Sequence, residues 1–423
     1  MARHNGRAPQ TELFRYGLLA LLALSLLASA FAAGGATVWF LAPQVRQTQA
    51  APEPTTAAGS VVATEARREE LASLLWETWD ILENEYLEPE VLVPEDMIRG
   101  AAAGAVLSVD DPYTVLVDPL PAAIMDQDMQ GSFEGIGATV AMVDGRLTIQ
   151  DFIPGSPASK AGLRHGDVIL QVDGEPVDGL DIVSAISLIR GPRGSVVRLL
   201  VERVTRTEPF EVSVTRERVE LLTVESRMLD NDVAYLRLTE FNAVAARKVR
   251  TALRQLLAKH PQGLILDLRD NPGGYFQTAI DVASEFLHKG DIIVSERERD
   301  QEADVFPVTR AGLATEIPLV VLVNRGSASA SEIVAGAIRD HARGLLVGET
   351  TYGKGSVQNV HTLSDGSSLR VTVARYYLPD GENIDGTGLV PDVEVLYTQE
   401  DADAQRDPQL ERAVELLTSV EGD

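Results

Sequence analysis

Three serines alternate with alanine in Val323-Asn324-Arg325-Gly326-Ser327-Ala328-Ser329-Ala330-Ser331-Glu332. An apolar run ends there, small residues turn the chain, and a helical pattern begins. A serine at such a junction lies near the N–H groups and positive dipole end of the helix, which favour a developing oxyanion. The same position suits a helix cap, and with three serines one can cap while another reacts. A serine nucleophile needs a base. There is no Gly-x-Ser-x-Gly elbow, and His4, His165, His260, His288, His341 and His361 sit in no triad setting. His341 falls near the far end of the helix that the serines begin, about 15 Å away at 1.5 Å per residue. It reads as a favourable helix-end charge.

Lys354 is the better base. It stands in Gly348-Glu-Thr-Thr-Tyr-Gly353-Lys354-Gly355-Ser356-Val357-Gln358. Burial disfavours an ammonium, so a desolvated lysine accepts a serine proton near neutral pH. A plain surface lysine is the alternative reading of this residue. If the chain is extended here, Gln358 points to the same face as Lys354 and its amide oxygen can orient the amine. The stretch also approaches a phosphate-binding loop. However, Gly355 replaces the required Ser or Thr, and Val357-Gln-Asn-Val-His-Thr-Leu reads as a strand where that motif needs a helix.

These residues need a scaffold, and the C-terminal half supplies one. Strands are expected at Val233–Leu238, Gly263–Leu268, Asp291–Ser295, Pro318–Asn324 and Gly344–Gly348. Helices are expected at Ala243–Lys259, Phe276–Leu287 and Ser331–His341. The alternation predicts an α/β domain with a mainly parallel sheet. Ahead of it, 65–88 and 97–107 read as helices, the first with Leu71, Leu74, Leu75, Trp79 and Leu82 on one face. Trp76, Trp79 and Tyr86 read as packing residues. Asp110-Asp111-Pro112 stops the second helix.

The N-terminus predicts the compartment. Arg3, Arg7 and Arg15 precede an uncharged apolar run of 26 residues, Gly17 to Ala42. A spanning helix needs about 20 residues, and positive charge stays in the cytoplasm. The run therefore predicts a single-pass signal anchor with the catalytic domains on the extracytoplasmic side. Ala28-Ser29-Ala30 offers the alternative of a cleaved signal peptide. Residues 43–64, rich in Ala, Thr, Gln and Pro, read as a linker.

The chain has 423 residues, 37 Lys and Arg against 63 Asp and Glu, and a formal charge of −26. Such an acidic balance argues against a general nucleic-acid partner. With no cysteine, disulfides, cysteine zinc sites, iron–sulfur clusters and thiol catalysis are excluded.

From Gly131 short strands and glycine turns take over. Gly135-Ile136-Gly137-Ala138-Thr139-Val140, Pro154-Gly155-Ser156-Pro157-Ala158, Gly166-Asp167-Val168-Ile169 and Val172-Asp173-Gly174 are followed by a helix at Asp181–Ile189 and a strand at Val196–Glu202. This series resembles a PDZ domain, mixed β/α, of the kind found in exported proteases. Such domains add an extended peptide to a sheet edge and hold its terminal carboxylate on backbone N–H groups. The resemblance implies that Gly135, Ile136, Gly137 and Ala138 form the carboxylate loop; a plain β-turn is the alternative. Arg190 reads as a solvated surface residue or as a coupling to the next domain.

From about residue 65 to its end the chain resembles the carboxyl-terminal processing, or tail-specific, proteases. The matching pieces stand in order: Asp110-Asp111-Pro112-Tyr113-Thr114, the PDZ segment, Asp267-Leu268-Arg269-Asp270-Asn271-Pro272-Gly273-Gly274, Ser327-Ala-Ser-Ala-Ser-Glu332-Ile333, Gly353-Lys354-Gly355 with Gln358, and Gly388-Leu389-Val390-Pro391-Asp392. The resemblance implies a crotonase-like α/β serine protease core with a Ser–Lys dyad. Ser329 would be the nucleophile, Lys354 the base and Gln358 the third member. Ala330 and Gly273 would supply the oxyanion-hole N–H groups, with Gly274 the less favoured choice. No metal or cofactor is implied.

The expected organisation is a cytoplasmic tip and anchor at 1–42, a linker at 43–64, a helical segment at 65–126, a PDZ domain at 127–217, the protease core at 218–400 and an acidic helix at 401–423. The implied partners are proteins with apolar C-terminal tails and, through the anchor, a membrane. Helices near 65–86 and 407–418 are candidate surfaces for a homo-oligomer. A silent PDZ adaptor, presenting tails to another protease, is the competing function.

Overall fold

The computed structural model describes residues 64–419 apart from residue 300. The expected anchor lies outside the described residues, and among those described no helix is long and apolar enough to cross a membrane.

Helix α1 (Glu65–Glu85) begins at Thr64, whose hydroxyl accepts the Arg67 N–H at 3.3 Å. Its apolar stripe meets no core: none of its residues is buried, and Leu74 is 67% exposed. Trp76 and Trp79 lie against each other, ring centroids 6.0 Å apart, instead of packing inward as the sequence suggested. Periodicity fixes which residues share a helix face, not what that face meets. Helix α2 (Pro94–Leu107), strand β1 (Val115–Val117) and helix α3 (Pro119–Met129) follow. Helix α3, within the expected helical segment 65–126 but not singled out there, opens on Pro119 in its first turn, where a missing N–H costs nothing.

The next unit holds β2 (Ser132–Gly135), β3 (Ala138–Val143), β4 (Arg146–Phe152), α4 (Pro157–Lys160), β5 (Val168–Val172), β6 (Glu175–Pro176), α5 (Ile182–Ile189), β7 (Val196–Glu202), β8 (Phe210–Thr215) and β9 (Glu217–Glu220). Strands β3-β4-β5-β7-β8 form one antiparallel sheet, leaving β3 at its edge. Ile149, Val197, Leu199 and Val201 are fully buried in its core. Asp181 caps α5, accepting the Val183 and Ser184 N–H groups at 2.9 and 3.1 Å. Strands β2 and β9 pair with each other as a ribbon at the two ends of this unit.

The remainder runs β10 (Val224–Met228), β11 (Val233–Leu238), α6 (Ala245–Leu257), β12 (Gly263–Asp267), α7 (Phe276–Ala283), β13 (Ile292–Glu298), β14 (Asp304–Pro307), β15 (Leu319–Val323), α8 (Ala330–Asp340), β16 (Leu345–Gly348), β17 (Ser356–Thr362), β18 (Ser368–Tyr377), β19 (Val393–Glu394), α9 (Gln399–Asp403) and α10 (Pro408–Thr418). The main sheet has the order β10-β11-β12-β15-β16-β19 and is parallel except at β10. Every residue of β12 and β15 is buried, as expected of parallel strands covered on both faces. Leu264, Leu266 and Val321 pack with helices α6, α7 and α8, whereas Ile265, Val320 and Leu322 pack with α10. A second, antiparallel sheet has the order β1-β18-β13-β14, with β17 also on β18.

This topology positions the chemistry. In an open parallel sheet, sites form beyond the carboxyl ends of the strands. The carboxyl ends of β12, β15 and β16 deliver Leu268–Gly274, Asn324–Ser329 and Glu349–Gly355.

Candidate active site

The fold sorts the three serines. Ser327 is buried, donates its hydroxyl to the Leu268 carbonyl at 2.8 Å and accepts the Asn324 N–H at 3.0 Å. Ser331, also buried, donates to the Asn271 carbonyl at 2.8 Å. Both tie the turn after β15 to the turn after β12. Asn324 adds a third strap, with its amide on Asp270 Oδ1 at 2.9 Å and its oxygen accepting the Asp270 N–H at 2.9 Å. Ser329, between the two structural serines, is only half-buried.

Ser329 has φ 54° and ψ −113° immediately before α8. This is a left-handed region that a side chain rarely adopts, at a cost of about 1–3 kcal/mol. A reactive serine on a strand-to-helix turn is held in this kind of strain, which lifts its hydroxyl clear of the backbone. The holding group is Glu332. Its carboxylate accepts the Ser329 N–H at 2.7 Å, the Gly353 N–H at 2.7 Å, the Lys354 N–H at 3.0 Å and the Thr351 hydroxyl at 2.5 Å. Burial pushes the Glu332 carboxyl above its ordinary range, while these hydrogen bonds favour the anion. One buried side chain thus fixes both the serine turn and the lysine loop.

The lysine loop, Thr351–Gly355, is irregular and runs straight into β17. A phosphate-binding loop would continue into a helix, so that reading fails here. Lys354 Nζ lies 5.1 Å from the centre of the Tyr113 ring. Burial lowers the proton affinity of its amine below the ordinary lysine value. Tyr376 closes the loop from β18, donating its hydroxyl to the Lys354 carbonyl at 2.5 Å and to the Ser329 carbonyl at 3.3 Å. Gln358 donates its amide to Ser356 Oγ at 2.9 Å and Thr372 Oγ1 at 3.3 Å. Its amide oxygen is then the atom left to receive a donor.

Gly273 meets the serine turn at close range. A Cβ added to it would lie 2.8 Å from the Ala328 carbonyl oxygen, 2.9 Å from Ser329 Cβ and 3.0 Å from the Ala330 nitrogen. Its φ of +103° also suits glycine alone. Its N–H donates to Asn271 Oδ1 at 3.0 Å, so serving an oxyanion would require sharing or breaking that bond. Behind this turn Arg269 pairs with Asp267 at 2.7 Å and Asp407 at 2.9 Å, and Tyr235 donates to Asp267 at 2.7 Å. The ion pairs anchor the carboxyl end of β12 to the start of α10.

The sequence-predicted residues fall into two places. Ser329, Ala330 and Gly273 meet at the serine turn, the Lys354 backbone joins them through Glu332, and Gln358 stands on β17 with its amide on Ser356 and Thr372. Gly135, Ile136, Gly137 and Ala138 form the junction from the last residue of β2 to the first of β3 in the other unit. There the Ile136 carbonyl accepts the Ala158 N–H at 2.9 Å and the Gly137 carbonyl accepts the Ile153 N–H at 3.0 Å. Arg190 is not the solvated arginine that one reading allowed. It pairs with Asp128 of α3 at 3.0 Å and lies 4.2 Å over the Phe133 ring, joining α5 to α3. His341 ends α8 as expected, its Nε2 2.7 Å from the Ile292 carbonyl oxygen.

Glu332, Tyr376 and Tyr113 escaped the residue-by-residue reading. Only Glu332 had a signal, since Ser-x-x-Glu at a helix start is a capping pattern. Among the described residues no group of three His, Asp or Glu side chains is placed to hold a metal ion.

Comparison with known proteins gives two family matches. Residues 232–395 match the model of peptidase family S41, and residues 148–203 match that of a PDZ domain. The chain is 36% identical over 311 residues to the carboxy-terminal-processing protease of Bartonella bacilliformis, spanning 72% of this chain and 71% of that protein. It is 33% identical over 349 residues to carboxy-terminal processing protease CtpB of Bacillus subtilis, spanning 81% and 72%. Among solved structures, a Bacteroides fragilis protein assigned to the S41 proteases superposes with a TM-score of 0.50 at 19% identity, over 81% of this chain and 96% of that one. At that identity the likeness concerns the fold alone.

Proposed function

The chain belongs to the carboxy-terminal processing proteases of peptidase family S41, serine-type peptidases with a PDZ domain, and from that premise we propose that it is a membrane-anchored endopeptidase working through a Ser329–Lys354 dyad. The observation that carries the dyad is the sorting of the serines. Ser327 and Ser331 spend their hydroxyls on the β12 turn, while Ser329 is strained, half-buried and tied through Glu332 to the Lys354 loop.

In this mechanism Ser329 Oγ attacks the scissile carbonyl and Lys354 Nζ takes its proton. The C=O electrons move onto oxygen, where the Ala330 N–H and the Gly273 N–H, released from Asn271, stabilise the charge. Each such donor contributes about 3–4 kcal/mol. Collapse of the tetrahedral intermediate breaks the C–N bond. Lys354 returns the proton to the leaving amine, and water then cleaves the acyl-enzyme with the same residue as base. Gln358 holds the amine through its amide oxygen.

The PDZ unit selects the substrate. Its carboxylate loop, Gly135–Ala138, leads into the edge strand β3, which accepts an apolar tail as an added strand. The stretch Gly17–Ala42 holds the chain in a membrane, with these domains outside the cytoplasm.

The test uses the full chain in detergent and a loosely folded protein ending in apolar residues, compared with the same protein carrying two added C-terminal aspartates. Cleavage should be about tenfold slower for the acidic tail; equal rates would overturn tail selection. Deleting residues 1–42 should move the protease from the membrane to the soluble fraction, and a membrane-bound deletion variant would contradict the anchor.

A further inference from the structure

A second cation stands on the sheet face that carries Gln358. Gln358 and Thr372 are opposite each other in the β17–β18 ladder, and their side chains are hydrogen-bonded. Arg370 stands two residues before Thr372 on β18, so it shares that sheet face and lies diagonal to Gln358. Its direct partners in the sheet are Val360 of β17 and Val115 of β1. Two residues before Val115 is Tyr113, the ring over which Lys354 Nζ lies. Helix α3 covers the guanidinium, with Nη2 3.5 Å from the Met125 sulfur. Arg370 is thus a half-buried, permanently charged group held on the face that carries Gln358.

We propose that Arg370 is a positioning residue for the hydrolysis, a fixed cation on the β17–β18 face that disfavours a proton on Lys354 and so keeps its amine a base. The proposal rests on the reading of Lys354 as that base. A like charge nearby is a recognised way to activate a lysine, and an arginine cannot relieve the repulsion by losing its own proton. The charges around Lys354 fit this role. Burial and then Arg370 lower its proton affinity, against the carboxylates of Asp111, Glu332 and Asp385. The negative charge of Asp126 on α3 favours the Arg370 cation and offsets part of its effect. Tyr113 stays a neutral phenol, its pKa raised first by burial.

The test is the pH dependence of kcat/KM, whose acid limb reports the base in the free enzyme. The full chain is assayed on the loosely folded substrate with R370M, R370K and D126N variants. R370M should move the midpoint of the limb up by about 0.5–1 pH unit and leave the alkaline plateau in place. Well below the midpoint it is then about 3–10-fold slower. R370K should keep the parent midpoint, and D126N should move it down.

An unmoved limb in R370M or in D126N would overturn the proposal, as would an equal shift in R370K. If R370M loses its circular dichroism signature, R370Q takes its place. K354A separates the two levels. Full activity in K354A would remove the base reading and this proposal with it. An inactive K354A with an unmoved R370M limb would remove only the role of Arg370.

Discussion

Replacing Lys354 with methionine is expected to lower kcat/KM by about ten-thousand-fold while leaving the fold intact. General-base assistance is worth about 10²–10⁴ in rate, and among the described residues no histidine lies in the serine cluster to take over. Methionine keeps the length and apolar stem of the side chain, and the Lys354 N–H and carbonyl that bond Glu332 and Tyr376 are backbone groups that survive the change. Burial lowers the proton affinity of the lysine. The parent enzyme should therefore gain activity as pH rises through a midpoint below the ordinary lysine value of about 10.4. Steady-state cleavage of an unfolded protein across pH, with circular dichroism on both forms, measures this. A fully active variant with the parent pH profile would remove Lys354 from the mechanism.

Gly273→Ala should lower kcat/KM by about a hundredfold. The new methyl group would stand 2.8 Å from the Ala328 carbonyl oxygen and 2.9 Å from Ser329 Cβ. The serine turn and the β12 turn must then part, although Ser327, Ser331 and Asn324 strap them together. A displacement approaching 1 Å between a nucleophile and its oxyanion donors costs about 10² in rate. Backbone strain is a separate effect, and Gly290 isolates it. Its φ is +101°, close to that of Gly273, yet a Cβ there would meet nothing within 4 Å. Gly290→Ala should lower the melting temperature by a few degrees, as about 1 kcal/mol of strain would, and leave kcat/KM unchanged. Equal activity in the two variants would show that close approach at Gly273 is irrelevant to the chemistry.

Much of the core was legible because its strands are buried on both faces. Runs such as Leu319–Val323 have no polar position, and glycine or polar turns bound them. The expected strands and helices of the core therefore stand within a few residues of their places, although β13 joins the antiparallel sheet and not the parallel one that the alternation predicted. Ser329 and Lys354 stood out for a different reason, since small residues mark a strand–helix junction and glycines flank the lysine. Relations formed only by folding were not legible. Nothing in the spacing of Ser327, Ser329 and Ser331 says which two will turn toward Leu268 and Asn271. Glu332 reads as a capping residue, and its hold on Gly353 and Lys354 depends on β16 lying beside β15. Tyr113 reaches Lys354 from a segment distant in sequence, and Arg370 shares a sheet face with Gln358 only once β17 pairs with β18. Helix α1 marks a further limit, for its periodicity showed an apolar stripe that the described residues leave exposed.

The most direct test of the Ser–Lys account is cleavage of one loosely folded substrate by the full chain and by its Ser329→Ala variant, side by side at the pH of maximal activity. Alanine preserves the backbone N–H that Glu332 receives and deletes only the hydroxyl. The expected result is rapid cleavage by the parent and none above background in the variant, with Ser327→Ala and Ser331→Ala retaining turnover in whatever fraction stays folded. Parent-like cleavage by Ser329→Ala would contradict the account.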